Sequence, residues 1–452
     1  MKARCALAVA LAVAGCGTQG TSLTAVPYRS GPSLPAAAPP HPLSSSKIRH
    51  VVIIVQENRS TDDLFGGLPG AETSRVGRNS TGGRVRLREV LLTAPYDVSH
   101  EHSSYLIEHA NGKLNGFNLA KSTCQVGEHC LPKALRPYGY VPHAEIAPYF
   151  EMAEQYAFGD HMFQTNEGPS FPAHQYIISG TSTPTDNSPL RAASNAFEPS
   201  GGFTGGCDSP PGSLVYLIDE AGNQDEATFP CFERITLMDL LERKGLSWRY
   251  YESHFGAGLW QAPDAIQHIR YGKLYATDVV SPPSTVLTDI AGGRLANVVW
   301  VTPTAKASDH AGVTDGTGPS WVASVVNAIG KSPYWSDTAI FVTWDDWGGW
   351  YDHVPPPQYN SYELGFRVPL IVISPYAKTH YVSHVQHEFG SILKFTEQSF
   401  GLGSLNTTDV RADNLADCFN FKAAPRRFTP IAAPLGPRYF LNQPPSTEAV
   451  DY

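Results

Sequence analysis

The sequence predicts an α/β fold, a layered sandwich built on a largely parallel sheet. Three observations predict it. Short apolar runs rich in Val and Ile recur along the chain, as strands buried on both faces require. Stretches with helical spacing separate them, the alternation that parallel sheets with crossover helices produce. The runs also end abruptly in polar residues, and open α/β sheets carry their ligands at the carboxyl ends of the strands.

The first segment is a targeting signal. Lys2 and Arg4 precede an apolar run from Ala6 to Ala14, followed by Gly15-Cys16. The run is too short to span a bilayer and has the form of a secretory signal. Val13-Ala14-Gly15-Cys16 is similar to a bacterial lipoprotein box, in which the Cys becomes the acylated first residue. The other reading is an ordinary signal peptide with an incidental Cys. Residues 17–46, with Pro35-Ala36-Ala37-Ala38-Pro39-Pro40, read as a Pro/Ala/Ser-rich tether. Residues 47–452 are expected to form a single domain.

The first strand is Val51 to Val55, and it runs directly into Gln56-Glu57-Asn58-Arg59-Ser60. Around residues 186–230, Gly, Pro and Ser accumulate, with Cys207 inside the stretch and Cys231 at its end, which reads as a long insertion serving as a lid or substrate-facing loop. Ile235 to Lys244 places Leu237, Leu240 and Leu241 on one helical face, with Gly245 as the stop. Leu295 to Val301 is a second strand. Ser320 reads as the N-cap of a helix from Trp321 to Ala328, ended by Gly330. Thr338 to Trp344 and Val368 to Ile373 are two more strands, and residues 388–400 form a final helix.

Composition narrows the function. The chain has 33 basic and 42 acidic residues, a net charge of −9, which excludes the basic footprint of a nucleic-acid binder. It has 40 Gly and 37 Pro, above their usual combined share of ~12%, which implies many ordered loops on a rigid scaffold. With Cys5 removed and Cys16 acylated, the expected loop staples of an oxidising compartment are Cys124–Cys130 and Cys207–Cys231, with Cys418 left over. No Cys or His spacing is that of a structural zinc site.

Four stretches can carry chemistry. Glu57-Asn58 lies at the end of a buried strand. Asp345-Asp346, in Trp344-Asp345-Asp346-Trp347-Gly348-Gly349-Trp350, ends another. Adjacent carboxylates repel unless a cation or a shared proton compensates, so the pair reads as a metal site, the other reading being a solvated turn. The Trp residues read as packing. Gly168-Pro169-Ser170 opens a helix-like segment, placing a hydroxyl at a helix N-terminus where an anion is favoured. The commoner role of such a Ser is a helix cap. A hydroxyl attacks only when a base or a metal activates it. Histidines stand at His100, His102 and His310.

Together these stretches resemble the phosphoesterase family of bacterial phospholipases C and respiratory-burst-inhibiting acid phosphatases, within the alkaline phosphatase superfamily. The likeness runs in order from about 48 to 421. It is carried by Glu57-Asn58-Arg59-Ser60 with Phe65-Gly66, Asp97 to His100, Gly112 to Phe117, Gly168-Pro169-Ser170, Ser247-Trp248 and Asp309-His310. Trp344 to Gly349, Asp352 to Pro356, Arg367-Val368-Pro369 and Ser374-Pro375-Tyr376 continue it. Two departures are visible: Ser60 is followed by Thr61-Asp62-Asp63, and Ser170 by Phe171-Pro172-Ala173-His174 where members often have Pro-Asn-Arg.

The resemblance implies a three-layer α/β/α sandwich, alkaline-phosphatase-like, with long loop insertions. It implies that the chain stops near the end of the catalytic domain, without the C-terminal β domains of larger members. Glu57, Asn58, Asp345 and Asp346 would hold a divalent metal, with Ser170 beside or bound to it as nucleophile. His100 and His310 would contact phosphate or move protons. His353 would be catalytic or would fix the loop after the metal ligands, and His254 would sit near the substrate. The oxygen-rich donor set suits Mg, Mn or Ca, with Zn or Fe as alternatives. The expected activity is that of an exported hydrolase of phosphate esters, of acid phosphatase or phospholipase C type, held to a membrane by its lipid anchor. The contrasting expectation is a non-catalytic lipoprotein that binds a ligand or partner on the same fold.

Overall fold

The structure is a computed structural model that describes Leu43 and residues 46–446. The signal segment, Cys16 and nearly all of the tether lie outside the described residues.

An eight-stranded sheet forms the centre. In chain order its strands are β1 (His50–Gln56), β2 (Ala157–Gly159), β3 (Trp248–Tyr251), β4 (Val279–Val280), β5 (Val298–Val301), β6 (Thr338–Trp344), β7 (Leu370–Ile373) and β8 (Tyr381–Ser383). Their spatial order is β4-β3-β5-β1-β6-β7-β2-β8. Only β7 runs against the rest, pairing antiparallel with both β6 and β2, so the sheet is largely parallel. β1 sits between β5 and β6, with neighbours on both edges. Its residues from Val51 to Val55 are buried, because layers of helix cover both faces of the sheet. Burying each such side chain stabilises by roughly 1.5–3 kcal/mol, which is why this strand tolerates no polar alternation.

Helices cover both faces of the sheet. The ones that matter here are α1 (Thr61–Phe65), α2 (His102–His109), α3 (Ala147–Gln155), α4 (Ser170–Ser179), α5 (Leu237–Arg243), α6 (Gly318–Gly330) and α7 (Phe389–Phe400). Phe341 and Trp344 of β6 are three residues apart and so point to opposite faces. Phe341 packs on Phe395 of α7, with ring centroids 5.0 Å apart. Trp344 packs edge-on to Tyr149 of α3, at 5.1 Å. The helices α3 and α6 touch on one side, and α4, α5 and α7 on the other.

The helix ends follow local chemistry. A capping box joins Thr236 and Asp239 at the start of α5, and Gly245 follows its end with positive φ. Helix α7 starts from Glu388 and stops at Gly401, which is left-handed. Helix α6 departs from the sequence reading. It begins at Gly318, two residues before Ser320, because Pro319 supplies a helical φ at the first turn. The second predicted strand is also shorter than expected. It starts at Val298, because the Asn297 side chain bonds Ser247 and Arg49 instead of pointing into a face of the sheet.

Residues 186–230 form short strands in two small satellite sheets, Arg191–Ala192 with Val215–Ile218 and Glu226–Thr228, and Ala196–Phe197 with Phe203–Thr204. Disulfides join Cys124 to Cys130 and Cys207 to Cys231, and Cys418 is a buried free thiol. No described helix is long and apolar enough to cross a membrane.

Candidate active site

Strand register builds the site. Val55 pairs with Thr343 and Gln56 with Trp344. Glu57-Asn58 and Asp345-Asp346 therefore leave two adjacent central strands at the same level. The ladder continues one step further, as the Asp345 amide donates to the Gln56 carbonyl at 3.0 Å. The chain then turns at Asn58, which has φ 59°. Asn is among the few side chains that adopt this left-handed conformation readily. The turn lets the Asn58 amide donate to Asp345 Oδ1 at 3.1 Å. Gly348, with φ 63°, donates its N–H to Asp346 Oδ1 at 2.7 Å. A Cβ at Gly348 would lie 2.2 Å from the Asn58 carbonyl oxygen, so the two turns approach closely only because this residue is glycine.

Ser170 enters from a third direction. The side-chain amides of Gln164 and Asn166 both donate to the Gly168 carbonyl, at 2.9 and 3.0 Å, and fix the turn before α4. Pro169 occupies the cap position, and Ser170 is the first helical residue. Its hydroxyl donates to Asp346 Oδ2 at 3.2 Å, so it does not cap its own helix. The Asn58 amide nitrogen lies 3.3 Å from both Ser170 Oγ and Asp346 Oδ2, and 3.0 Å from His100 Nε2. All these groups are buried.

Two histidines stand together here, one of them bonded to Asn58. His100 Nδ1 donates to the Val98 carbonyl at 2.9 Å, which leaves Nε2 as the acceptor facing Asn58. His310 Nδ1 is held in the same way by the Ala311 carbonyl at 2.7 Å, and the two rings stand 5.8 Å apart, edge to face. The loop carrying His310 follows β5, the other neighbour of β1. The Gln56 side chain ties it to the sheet through the Ala307 carbonyl, and Arg59 ties it through the Asp309 carbonyl.

Asp309 pins this loop. Its Oδ2 accepts from Tyr149 Oη at 2.9 Å and Trp344 Nε1 at 3.0 Å. Burial pushes its pKa up to about 7, against the pull of Arg59. The folded state thus holds a proton that the unfolded chain releases near pH 4. Its contribution to stability is complete below the unfolded value and is lost as pH rises towards about 7, by about 1.4 kcal/mol per pH unit. Asp309→Asn keeps the acceptor and cannot ionise. The melting temperature of Asp309→Asn minus that of the wild type is therefore expected to be near zero at pH 4 and to grow until about pH 7. A pH-independent difference would contradict this account.

One site residue escaped sequence reasoning. His174, four residues after Ser170 and so on the same face of α4, is fully buried. Its Nε2 lies 3.1 Å from Glu57 Oε1 and 3.9 Å from Asp345 Oδ2. The i, i+4 spacing from Ser170 was the available signal.

Two expected site residues are held by other partners. His353 Nδ1 bonds Asp62 Oδ2 at 2.7 Å, within a buried cluster in which Arg367 chelates Asp352. It fixes the loop after the aspartate pair and does not join Ser170. The cluster also explains the Thr61-Asp62-Asp63 departure. Asp62 anchors His353, Asp63 pairs with Arg59, and Ser60 caps α1 while holding the Tyr351 carbonyl. His254 engages Ser253 Oγ and the Ala257 carbonyl through its two ring nitrogens, within its own loop. The Trp residues pack: Trp344, Trp347 and Trp350 are all buried, and Trp347 donates to Glu108.

The donor set fits a divalent cation. Glu57, His174 and Asp345 place ligand atoms within 4.8 Å of one another. Asn58 Oδ1 and Asp345 Oδ2 are buried and accept no hydrogen bond. Buried carboxylates at this density need a compensating cation or a shared proton. An amide can present oxygen or nitrogen at one spot, and the charge it faces decides which. A cavity of about 170 Å³ opens beside His100, lined by Asp97, Glu101, Lys121, Asn195 and Phe203 among others. Asn195 and Phe203 come from the 186–230 insertion. Asn195 Oδ1 accepts from the Phe171 amide at 2.9 Å, joining the insertion to the helix that starts at Ser170.

Residues 48–403 match the model of the Phosphoesterase family. The chain is 26% identical over 435 residues to a non-hemolytic phospholipase C of Pseudomonas aeruginosa, covering 83% of this chain and 57% of that protein. It is 23% identical to phospholipase C A of Mycobacterium tuberculosis, covering 87% and 81%. The match thus spans little more than half the length of the Pseudomonas protein. Among solved structures, a protein in the alkaline phosphatase superfamily from Vibrio parahaemolyticus aligns with a TM-score of 0.39 and 12% identity, over 83% of this chain and 72% of that one.

Proposed function

The chain belongs to the Phosphoesterase family, and from that premise we propose that it is a divalent-cation-dependent hydrolase of phosphate esters with Ser170 as its nucleophile. One observation carries this reading. A buried hydroxyl, an amide and two carboxylate-bearing strand ends meet at one point, with His100 bonded to the amide.

Glu57, Asn58, Asp345 and Asp346 would hold the cation, with Ser170 Oγ beside it. The cation would lower the hydroxyl pKa and take up charge on a phosphoryl oxygen. The residues of the chain do the rest. Asp346 Oδ2 orients the hydroxyl. Ser170 Oγ forms the new bond to phosphorus as the bond to the substrate alcohol breaks. The hydroxyl proton passes to Nε2 of His100 or His310, the unprotonated ring nitrogen because Nδ1 donates to a backbone carbonyl, and from there to the leaving oxygen. Such a proton transfer contributes typically ~10²–10⁴-fold. Water then attacks the phosphoserine, releases phosphate and returns the proton to Ser170.

The relatives named phospholipase C extend the proposal to phospholipids as substrates, beside phosphomonoesters. The Pro/Ala/Ser-rich tether and Cys16 extend it to an exported enzyme, acylated and held at a membrane, with residues 47–452 as its catalytic domain. The two disulfides fit an oxidising compartment. The test is a panel of p-nitrophenyl phosphate, p-nitrophenyl phosphorylcholine and phosphatidylcholine micelles, run across pH with several divalent metals. Hydrolysis of at least one, abolished by chelation and restored by metal, is the expected result. No turnover on any member with any metal would favour a non-catalytic binding protein.

A further inference from the structure

We propose that His174 is a nitrogen ligand of the cation centre and that it tunes the centre towards zinc-like borderline metals and away from magnesium and calcium. The proposal rests on reading Glu57, Asn58, Asp345 and Asp346 as the cation site.

Three observations place His174 there. It shares a helix face with Ser170, so α4 delivers a hydroxyl and an imidazole to the same point. Its Nε2 is 3.1 Å from Glu57 Oε1 and 3.9 Å from Asp345 Oδ2. Donors bound to one ion at about 2.1 Å sit roughly 3–4 Å apart, so both spacings are those of ligands sharing a metal. The ring is also held in place: it lies near-parallel to Trp260 at 6.4 Å, and its Nδ1 faces Tyr250 Oη at 3.5 Å. A partner on the far ring nitrogen is the usual support of a metal-bound histidine.

The chemical consequence is selectivity. Carboxylates, an amide and a hydroxyl alone make an all-oxygen set suited to hard cations. A neutral imidazole adds a borderline donor that magnesium and calcium use poorly and zinc uses well. A histidine that only balances the carboxylate charge acts differently, because its removal changes the affinity for all divalent cations alike.

The test is calorimetric titration of the metal-stripped full-length protein with Zn²⁺ and with Mg²⁺, for wild type, His174→Gln and His174→Asn. Two variants guard against one of them failing to fold, which circular dichroism reports. The expected result is a zinc affinity weakened at least about tenfold, with magnesium affinity changed less than about threefold. Equal changes for the two metals, or none, would overturn the ligand role. Asp345→Asn is titrated alongside. If it binds both metals as the wild type does, the cation site itself is wrong and the proposal falls with it. If it loses both metals while the His174 variants match the wild type, the site stands and only the histidine assignment fails.

Discussion

Ser170→Ala is expected to lower kcat on any substrate the enzyme accepts by at least about 10³-fold, because a nucleophile that acts within a preorganised group cannot be replaced by its neighbours. The stability change should be small. The Ser170 hydroxyl donates to Asp346 Oδ2 at 3.2 Å and accepts from Asn58 Nδ2 at 3.3 Å. Losing a bond of this kind costs about 1 kcal/mol. The helix start is not at risk either, since the Ser170 side chain makes no cap bond. The variant should therefore fold, bind its cation within about tenfold of the wild type, and fail to turn over. Acid-quenched wild type should carry phosphate on the Ser170 peptide, and Ser170→Ala should carry none. Full activity in the alanine variant would remove Ser170 from the mechanism and leave attack by water as the remaining route.

The elements that bear the site were legible in the sequence to different degrees, for physical reasons. β1 and β6 were plain because each is central and buried on both faces, so apolar residues dominate before the polar turn. The reading could place Glu57-Asn58 and Asp345-Asp346 at strand ends, but not side by side, because adjacency depends on pairing register across more than 280 residues of chain. The short strands β2, β3, β4 and β8, of two to four residues each, were invisible. Pairing rather than periodicity defines them.

Histidines were the hardest to read. His100 and His310 declare nothing locally: each has Nδ1 on a backbone carbonyl, and what brings their rings together is pairing between distant parts of the chain. His353 stands near the aspartate pair in sequence, which left a catalytic and a loop-fixing role both open. The chain turns away after Gly349, and Asp62 and Arg367 take the ring into a different cluster. His174 was read only as a departure after the nucleophile. Its meaning lies in Glu57, which is 117 residues away in the chain.

Asp345→Asn should separate stability from function more sharply than any other change. Asp345 is fully buried, accepts from the Asn58 amide through Oδ1 at 3.1 Å, and has an Oδ2 that accepts no hydrogen bond. Asparagine is nearly isosteric and keeps the first of these contacts. It removes one of three carboxylates that converge with Glu57 and Asp346 on a small buried volume. Without cation, that crowding is repulsive, so the metal-free variant is expected to melt at the same temperature as the metal-free wild type or higher. With cation, the order reverses. Binding stabilises the wild type in proportion to the logarithm of ligand over Kd, about 2.7 kcal/mol at a hundredfold excess. The variant, with one anionic ligand fewer, should bind at least about 100-fold more weakly and gain almost nothing at the same concentration. Its activity should fall with its occupancy and recover in part at high metal. Melting curves with and without chelator, beside activity against metal concentration, read all of this in one variant. A variant that matches the wild type in both would show that the carboxylate pair at the end of β6 is not where the cation binds. A variant destabilised without metal would show instead that Asp345 holds the turn through contacts that its charge alone supplies.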